Sequence, residues 1–315
     1  MTDPLASSDA AHPSPRIVEV AANAKINLHL RVLARESNGY HQIETLFLRV
    51  GLSDVVRVAR TDGSRSLDVT GDVDLAALGP AERNLAWRAA ESYCAATGLT
   101  GGFAIAVEKH IPIGGGLGGG SADAGAVLRA LDAMNPSPIG LAGCLELATP
   151  LGADVPFLTG GHAYALAWGH GERMLPLKPP PRRRVLLVVP PFGVNTGDAY
   201  AWLDERHAGE SESSQSHVFD DRSLQEWDVF AGFATNDLEA VVATRHPVIA
   251  EALAYLRGTP NCQVARMSGS GSTLFVIGTA SGGPLRWRPP DGTLAGFRGM
   301  ATRTLTRVEP VKPIE

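Results

Sequence analysis

The residues with the clearest chemical potential form a glycine-rich stretch, Pro112 to Gly125, with six glycines among residues 114–120. Without side chains to hold a ligand away, the backbone N–H groups of such a stretch can approach phosphate oxygens closely. Residues 103–108 before it are typical of a strand, and residues 124–131 of a buried, alanine-rich helix. Because N–H groups and the helix dipole converge at a helix N-terminus, the stretch predicts a phosphate site.

Two familiar phosphate-binding motifs fit this loop poorly. No Gly-Lys-Ser/Thr follows its last glycine, so it is not a Walker A loop. Gly114, Gly116 and Gly119 have G-x-G-x-x-G spacing. A Rossmann site, however, would start a βαβ unit and have an acidic residue at the end of the next strand, whereas Asp132 falls at the predicted helix. A dinucleotide-dependent oxidoreductase is thus disfavoured, and a nucleotide-binding regulator without catalysis is a second rival hypothesis.

Two charged residues in apolar surroundings, Asp154 and Lys25, are candidates for acid–base chemistry. Asp154 lies within the apolar segment 152–157, where burial without partners would cost several kcal/mol. A helix cap or a turn explains it equally well. Lys25 lies on the polar face of a predicted strand, 24–32, and such a cation is usually solvated. The two could form a buried pair that holds a substrate hydroxyl, but their spacing alone does not show that they meet.

Three separate segments resemble the motifs of the GHMP kinase superfamily, named for galactokinase, homoserine, mevalonate and phosphomevalonate kinases. In chain order they are Ala24-Lys25-Ile26-Asn27-Leu28, the loop from Pro112 to Ala124, and Met267-Ser268-Gly269-Ser270-Gly271. Further segments resemble the members that act on a cytidine diphosphate-linked methylerythritol, namely Gly39-Tyr40-His41 with Thr45-Leu46-Phe47, the Gly-Gly-Gly-Leu-Gly-Gly-Gly-Ser form of the loop, residues 152–157, and Asn236-Asp237-Leu238-Glu239. The resemblance spans roughly residues 16 to 310.

The resemblance implies ATP-dependent phosphorylation of the 2-hydroxyl of that methylerythritol substrate, in the non-mevalonate isoprenoid pathway. A mevalonate-type or homoserine-type kinase is the alternative. Asp154 matches the catalytic base, and Lys25 the residue that orients it. Asn84 and Leu85 match part of an adenine pocket. The expected phosphate-binding residues of ATP are Pro112, Ile113, Gly114, Gly115, Gly116, Leu117, Gly118, Gly119, Gly120, Ser121 and Ala122.

The resemblance also implies a substrate site and a metal requirement. An aromatic face stacks on a pyrimidine, and a histidine can present a donor and an acceptor to its edge. The expected substrate-binding residues are Asn27, Tyr40, His41, Tyr200, Gly269 and Ser270. Members of the superfamily often have serines where this chain has Gly119 and Gly120. Mg²⁺ is therefore expected to bind mainly through the ATP phosphates, with Ser121 as the candidate protein ligand.

Composition limits the remaining function classes. The chain has 315 residues, 44% hydrophobic, and a net charge of -5 with a pI near 6.0, which argues against general nucleic-acid binding. No apolar run reaches membrane-spanning length, and three distant cysteines suit a reducing compartment. We therefore expect a cytoplasmic protein without membrane or nucleic-acid partners, as a monomer or weak homodimer, with a disordered lead-in at residues 1–15.

The elements that must position these residues suggest an α+β fold in two domains. The superfamily implies an ATP-binding domain like domain 2 of ribosomal protein S5, here residues 16–180, and a ferredoxin-like domain, here residues 181–315. The proline and arginine run at 179–184 marks the boundary. The first ninety residues are predicted to form hairpin-like strands. The polar segment 207–226 is predicted to be a mobile surface insertion.

Overall fold

The structure is a computed structural model that describes residues 16–37, 39–72, 79–207, 219–289 and 292–314. The predicted lead-in, residues 1–15, lies outside this part of the chain. Within the described residues, eleven strands form two sheets, against which nine α-helices pack. In the same part of the chain, no helix combines the length and apolar character that crossing a membrane requires.

The strands and helices have the following bounds. The strands are β1 Ile17–Arg35, β2 His41–Thr61, β3 Arg65–Gly71, β4 Gly102–Lys109, β5 Tyr164–Gly169, β6 Arg173–Pro176, β7 Arg184–Val189, β8 Cys262–Met267, β9 Leu274–Gly278, β10 Arg298–Arg303 and β11 Lys312–Pro313. The helices are α1 Leu85–Thr97, α2 Gly119–Met134, α3 Gly140–Ala148, α4 Val155–Thr159, α5 Thr196–His207, α6 Asp221–Gln225, α7 Trp227–Phe230, α8 Asp237–Arg245 and α9 Pro247–Arg257.

The first sheet is built on the long antiparallel pair β1 and β2. Its strand order is β11-β1-β2-β4-β3, and β5 pairs with both β2 and β6. Ile26 and Leu28 of β1 enter the core as their alternation predicts, but Lys25, Asn27 and His29 on the other face are buried too. The strand is therefore covered on both faces at this point, and its polar residues lie inside the protein instead of on a solvated surface.

The hairpin predicted after β2 is interrupted by a later strand. β4 lies between β2 and β3, antiparallel to the first and parallel to the second. Phe103, Ile105 and Val107 of β4 are buried, which suits a central strand, whereas β3 has only half-buried apolar residues and lies at the sheet edge. β4 therefore packs more apolar surface at the centre of the sheet than β3 would, and the local turn at residues 61–64 does not decide the pairing.

The second sheet has the order β10-β7-β9-β8. Counted within the sheet this is 4-1-3-2, the antiparallel arrangement of the predicted ferredoxin-like domain, with the helices α5 to α9 between its first two strands. Between β9 and β10, however, the described residues form no helix. The terminal β11 pairs with β1 of the first sheet, so the boundary at 180/181, which stays a prediction, does not separate the two sheets completely.

The prediction that residues 207–226 form a mobile insertion is wrong for the last residues of that segment. Residues 208–218 lie outside the described chain, but residues 219–226 are ordered and include α6. The Asp220 side chain accepts a hydrogen bond from the Ser223 amide at 2.8 Å, which caps this helix. Phe219 and Leu224 pack against the core. The prediction rested on the polar composition of the segment and did not weigh these two apolar residues, whose packing holds residues 219–226 in place.

Candidate active site

The two residues that the sequence could not bring together, Lys25 and Asp154, meet in the structure. The Lys25 ammonium lies 3.2 Å from Oδ2 of Asp154, and it donates a hydrogen bond to Oδ1 of Asn27 at 2.7 Å. The Lys25 side chain is only 4% exposed, whereas that of Asp154 is 28% exposed. A buried cation thus faces a carboxylate that solvent or a substrate can still reach.

A chain of hydrogen bonds fixes the orientation of Asn27. The Thr45 hydroxyl donates to the His29 carbonyl at 2.7 Å, so the same oxygen is free to accept from Nδ2 of Asn27 at 2.8 Å. The amide oxygen of Asn27 must therefore point toward Lys25. Thr45 of β2 therefore orients the uncharged side chain of Asn27, and Asn27 in turn holds the Lys25 ammonium in place.

The glycine loop turns directly into α2, earlier than predicted. The helix begins at Gly119, with Gly118 in the left-handed conformation as its N-cap. The first N–H groups of a helix have no intrahelical acceptor, so the last glycines of the loop offer free donors. The predicted phosphate-binding residues 112–121 all line one cleft. Ala122 does not, because it is buried and its N–H donates to the Gly118 carbonyl at 2.8 Å, and we no longer assign it a phosphate contact.

The loop is held from both sheets. The Lys25 amide donates to the Leu117 carbonyl at 3.0 Å, the Ser268 hydroxyl to the Gly116 carbonyl at 3.0 Å, and the Thr273 amide to the Gly115 carbonyl at 3.2 Å. A Cβ on Gly116 would lie 2.2 Å from the Ser268 carbonyl oxygen, so no side chain fits there. The turn between β8 and β9 and strand β1 thus set the path of the loop together.

The segment Asn236-Asp237-Leu238-Glu239 ties α8 to the same turn. Asn236 caps α8, and its Nδ2 donates to the carbonyls of Met267 and Gly269, each at 2.8 Å. The Glu239 carboxylate accepts from the Met267 amide at 2.9 Å. Gly269 and Ser270 line the cleft, and the Ser270 hydroxyl lies 2.9 Å from that of Thr196. The segment therefore positions the predicted substrate-contacting turn.

The remaining predicted residues lie along one cleft of about 1050 Å³. At one end Asn84 caps α1 by accepting from the Ala86 amide at 2.9 Å, and Leu85 follows it. Both line the cleft beside the loop, as an adenine pocket requires. Lys25, Asn27 and Asp154 also line it. The catalytic, nucleotide and substrate candidates therefore share a single cavity.

The other end of the cleft is aromatic. His41 stacks on Tyr200 with 4.8 Å between ring centroids, and its Nε2 lies 2.7 Å from Oδ1 of Asp204. Tyr40, 64% exposed, stacks on His170 at 5.1 Å. Burial and then the charge of Asp154 raise the pKa of Tyr200 to about 12. The aromatic end thus lies within electrostatic reach of Asp154.

Comparison with known proteins identifies the family. A family model described as the N-terminal domain of GHMP kinases matches residues 84–162. A 4-diphosphocytidyl-2-C-methyl-D-erythritol kinase from Pelotomaculum thermopropionicum is 40% identical over 265 residues, which cover 83% of this chain and 89% of that protein. The chain belongs to the 4-diphosphocytidyl-2-C-methyl-D-erythritol kinase family.

Solved structures agree with this family. A crystal structure of 4-(cytidine 5'-diphospho)-2C-methyl-D-erythritol kinase has a TM-score of 0.71 and 33% identity, with 91% of this chain and 98% of that chain covered. A homoserine kinase from Cytophaga hutchinsonii has a TM-score of 0.62 at 15% identity over 94% of this chain and 97% of its own, which shows the fold alone. The predicted α+β GHMP kinase fold is confirmed.

The sequence did not predict a buried charged cluster that lies behind the glycine loop of this chain. Lys109, at the end of β4, donates hydrogen bonds to Asp54 and, at 2.7 Å, to Asp123 of α2. All three are at most 4% exposed. The available signal was a charged residue on each side of the glycine run, Lys109 before it and Asp123 after it. The cluster joins the start of α2 to β2 and β4.

The two carboxylates of this cluster have unequal surroundings. Asp54 also accepts from the amides of His110 at 2.6 Å and Ile111 at 2.8 Å, whereas Oδ1 of Asp123 has no partner among the described residues. Burial alone lowers the pKa of Lys109, but the two carboxylates outweigh it and raise that pKa. Burial, with repulsion from Asp54, raises the pKa of Asp123 to about 8 against the attraction of Lys109. The surroundings of Asp123 therefore favour its protonated form.

We expect Asp123→Asn to remove a pH-dependent part of the stability. Asp123 titrates near ~4 in the unfolded chain and at about 8 in the folded one, so between these values the folded state holds one more proton. The free energy of unfolding then falls as pH rises, by up to about 1.4 kcal/mol per pH unit, and this contribution is lost above the folded pKa. Asn cannot titrate, so the variant gains stability relative to wild type as pH increases.

Urea unfolding at pH 5 to 9 measures this difference. Asp68→Asn, at an exposed position on β3, is the matched control and should follow the wild-type curve. Equal pH slopes for wild type and Asp123→Asn would show that Asp123 does not hold the proton.

The donors for Mg²⁺ near the loop are few. Among the described residues, no group of three or more His, Cys, Asp or Glu side chains is placed to hold a metal ion. Ser121 is half-buried in the first turn of α2 and lines the cleft. Mg²⁺ keeps several waters and usually binds proteins through one or two side chains together with substrate phosphates. The donor set therefore fits an ion carried by ATP, with the Ser121 hydroxyl as its candidate protein ligand.

Proposed function

We propose that this chain transfers the γ-phosphoryl group of ATP to the 2-hydroxyl of 4-diphosphocytidyl-2-C-methyl-D-erythritol. The observation that carries the proposal is the Lys25–Asp154 pair, 3.2 Å apart, between a glycine loop and an aromatic cluster in one cleft. The relatives of this chain that are named 4-diphosphocytidyl-2-C-methyl-D-erythritol kinases support the same substrate.

In the proposed reaction Asp154 is the base. Its carboxylate accepts the proton of the 2-hydroxyl as that oxygen bonds to the γ-phosphorus, while the bond from phosphorus to the ADP oxygen breaks. Lys25 orients Asp154 and stabilises the negative charge that develops on the attacking oxygen. Phosphoryl transfer depends mainly on alignment and charge compensation, which a fixed cation and a positioned carboxylate supply.

The loop holds the other substrate in this proposal. The N–H groups of residues 114–121 bind the ATP phosphates, and the N-terminus of α2 adds its dipole. Asn84 and Leu85 contact the adenine. Ser121 would be the protein ligand of Mg²⁺ carried by these phosphates, and the ion would neutralise part of their charge. Because Lys25 also bonds the loop through its amide, 3.0 Å from the Leu117 carbonyl, the base and the phosphates are positioned by the same residue.

The aromatic end favours a cytidine substrate over mevalonate or homoserine, which carry no nucleobase. Tyr40 and Tyr200 offer ring faces, and His41 offers polar ring atoms, at the end of the cleft opposite Asn84 in the proposal. His41 and Tyr200 stack on each other here, so a base that enters between the aromatic residues must displace part of this contact. Gly269, Ser270 and Asn27 are proposed to contact the substrate nearer the reacting hydroxyl.

A coupled assay of ADP release tests the substrate directly. The cytidyl substrate should support turnover, whereas mevalonate and homoserine should not. Turnover with mevalonate and none with the cytidyl compound would overturn the assignment.

Tyr200→Ala should raise KM for the cytidyl substrate about 10-fold or more, because a base–aromatic stack contributes about 1–3 kcal/mol. KM for ATP should stay the same. Tyr255→Ala, which removes a half-buried tyrosine outside the cleft, is the control and should change neither KM. An unchanged KM for the cytidyl substrate in Tyr200→Ala would remove Tyr200 from the substrate site.

We also propose a cytoplasmic location and a monomeric or weakly dimeric state. The three cysteines are free thiols, and Cys94 and Cys144 are buried, which supports a reducing compartment. No partner beyond the two small-molecule substrates is needed to complete the cleft in this proposal.

A further inference from the structure

Among the described residues, one buried cation near the site has no carboxylate partner. Arg49 of β2 is 1% exposed, and within the described part of the chain its guanidinium donates to backbone carbonyls alone, those of His162 at 3.0 Å, Phe157 at 2.8 Å and Gly160 at 2.9 Å. Burial, with repulsion from Arg129, lowers its pKa to about 9. Burying a charge costs several kcal/mol, which the hydrogen bonds to these carbonyls must offset. Its presence therefore calls for a reason other than packing.

The carbonyls that Arg49 binds belong to the end of α4 and the turn after it. Asp154 is the residue immediately before α4, and its carbonyl accepts from the Leu158 amide at 3.1 Å. α4 spans only Val155–Thr159, little more than one turn. Holding the last carbonyls of so short a helix also fixes the residue at its beginning. Arg49 therefore influences the position of Asp154 indirectly, through the backbone of one helical turn.

A column of side chains connects Arg49 to Lys25 as well. The Arg49 guanidinium lies 5.2 Å from the Phe157 ring centroid, and Phe157 stacks on Phe47 at 5.0 Å with 23° between the planes. The Lys25 ammonium lies 5.5 Å from the Phe47 ring centroid. The two stacked rings thus lie between two cations, and each cation is attracted to the ring next to it. Arg49 and Lys25 are also register partners of β2 and β1.

We propose that Arg49 is a positioning residue that sets the geometry of the Lys25–Asp154 pair, through α4 on one side and through the Phe157–Phe47 column on the other. The inference rests on the proposed function, because it assigns Arg49 to the alignment of the proposed base. Arg49 does not line the cleft, so it acts without touching either substrate.

Kinetics of Arg49→Met and Arg49→Lys test this role. Arg49→Met removes all three carbonyl contacts and should lower kcat about 10- to 100-fold, while the Kd for ATP changes less than about 2-fold, because the loop is untouched. Arg49→Lys keeps a cation that reaches some of the carbonyls and should recover part of kcat. Val58→Ala, a buried β2 residue outside the cleft, is the control for destabilisation and should lower Tm with kcat unchanged.

A double-mutant cycle separates positioning from general damage. If Arg49 acts through Asp154, Arg49→Met should reduce turnover much less in an Asp154→Asn background than in wild type. Equal losses in both backgrounds, or a lower Tm with unchanged kcat, would overturn the proposal. A wild-type enzyme that fails to phosphorylate the cytidyl substrate would instead refute the proposed function, and an active wild type with a fully active Arg49→Met would refute only the role of Arg49.

Discussion

Asp154→Asn is expected to lower kcat by about 10²- to 10⁴-fold while ATP binding stays near the wild-type level, because a positioned general base contributes about that much. Asn has nearly the same shape but cannot accept the proton of the attacking hydroxyl. The Lys25 ammonium keeps its bond to Asn27 at 2.7 Å, so the variant should fold. The phosphate-binding loop has no hydrogen bond to the Asp154 side chain among the described contacts, which is why ATP affinity should survive.

Steady-state turnover and titration with a fluorescent ATP analogue measure the two properties separately. Asp198→Asn is the matched control, since Asp198 is exposed on α5 and lies outside the cleft, and its kinetics should equal those of wild type. Near-normal turnover in Asp154→Asn would mean that another group takes the proton, and the proposed mechanism would fall. A kcat loss accompanied by loss of ATP binding would point to a structural role instead.

The second large effect is expected for Lys25→Met, which should lower kcat by about 10²- to 10³-fold, the usual loss when one preorganised donor to a developing charge is removed. Met resembles the aliphatic stem of lysine but has no ammonium. Asp154 then loses its cation, and the buried Oδ1 of Asn27 loses its donor. The Lys25 backbone bond to the loop is kept, so KM for ATP should change much less than kcat.

Lys25→Arg should fail to rescue this loss. Arginine is longer and spreads its donors over a planar fork, so it would not place a single donor near both Oδ1 of Asn27 and Oδ2 of Asp154, as the Lys25 ammonium does. Lys178→Met, at an exposed lysine outside the cleft, controls for loss of a positive charge and should remain active. A Lys25→Met enzyme with wild-type kcat would refute the role proposed for the ammonium.

The sequence predicted the parts of this site whose chemistry is local. A glycine run between a strand and a helix has few structural explanations, and the loop lies where that pattern requires. Asp154 and Lys25 were visible as charges in apolar segments, but Lys25 lies on β1 and Asp154 comes just before α4, more than a hundred positions later in the chain. Their contact depends on tertiary packing, and only the resemblance to known kinases linked the two residues before the structure did.

Other features could not be read from the residues because they arise from competition between distant segments. β4 displaces β3 from the centre of the sheet because it has more apolar surface to bury there. The cluster of Asp54, Lys109 and Asp123 forms only when β2, β4 and α2 converge. Arg49 was unremarkable as one more charged residue in a strand, since its carbonyl partners lie more than a hundred positions away in the chain.

The glycines of the loop meet two different spatial constraints. Gly116 is confined by the Ser268 carbonyl of its own chain, which a Cβ would approach to 2.2 Å, whereas the nearest atom to a Cβ on Gly120 is Leu85 Cδ1 at an ordinary 3.8 Å. Folding alone therefore restricts the substitution of Gly116 by other residues, even in the absence of nucleotide. At Gly120 the described residues leave room for a side chain, so in the proposed reaction it is the nucleotide that restricts substitution there. Neighbouring glycines of one loop thus have different reasons for lacking a side chain, the fold at Gly116 and the proposed ligand at Gly120.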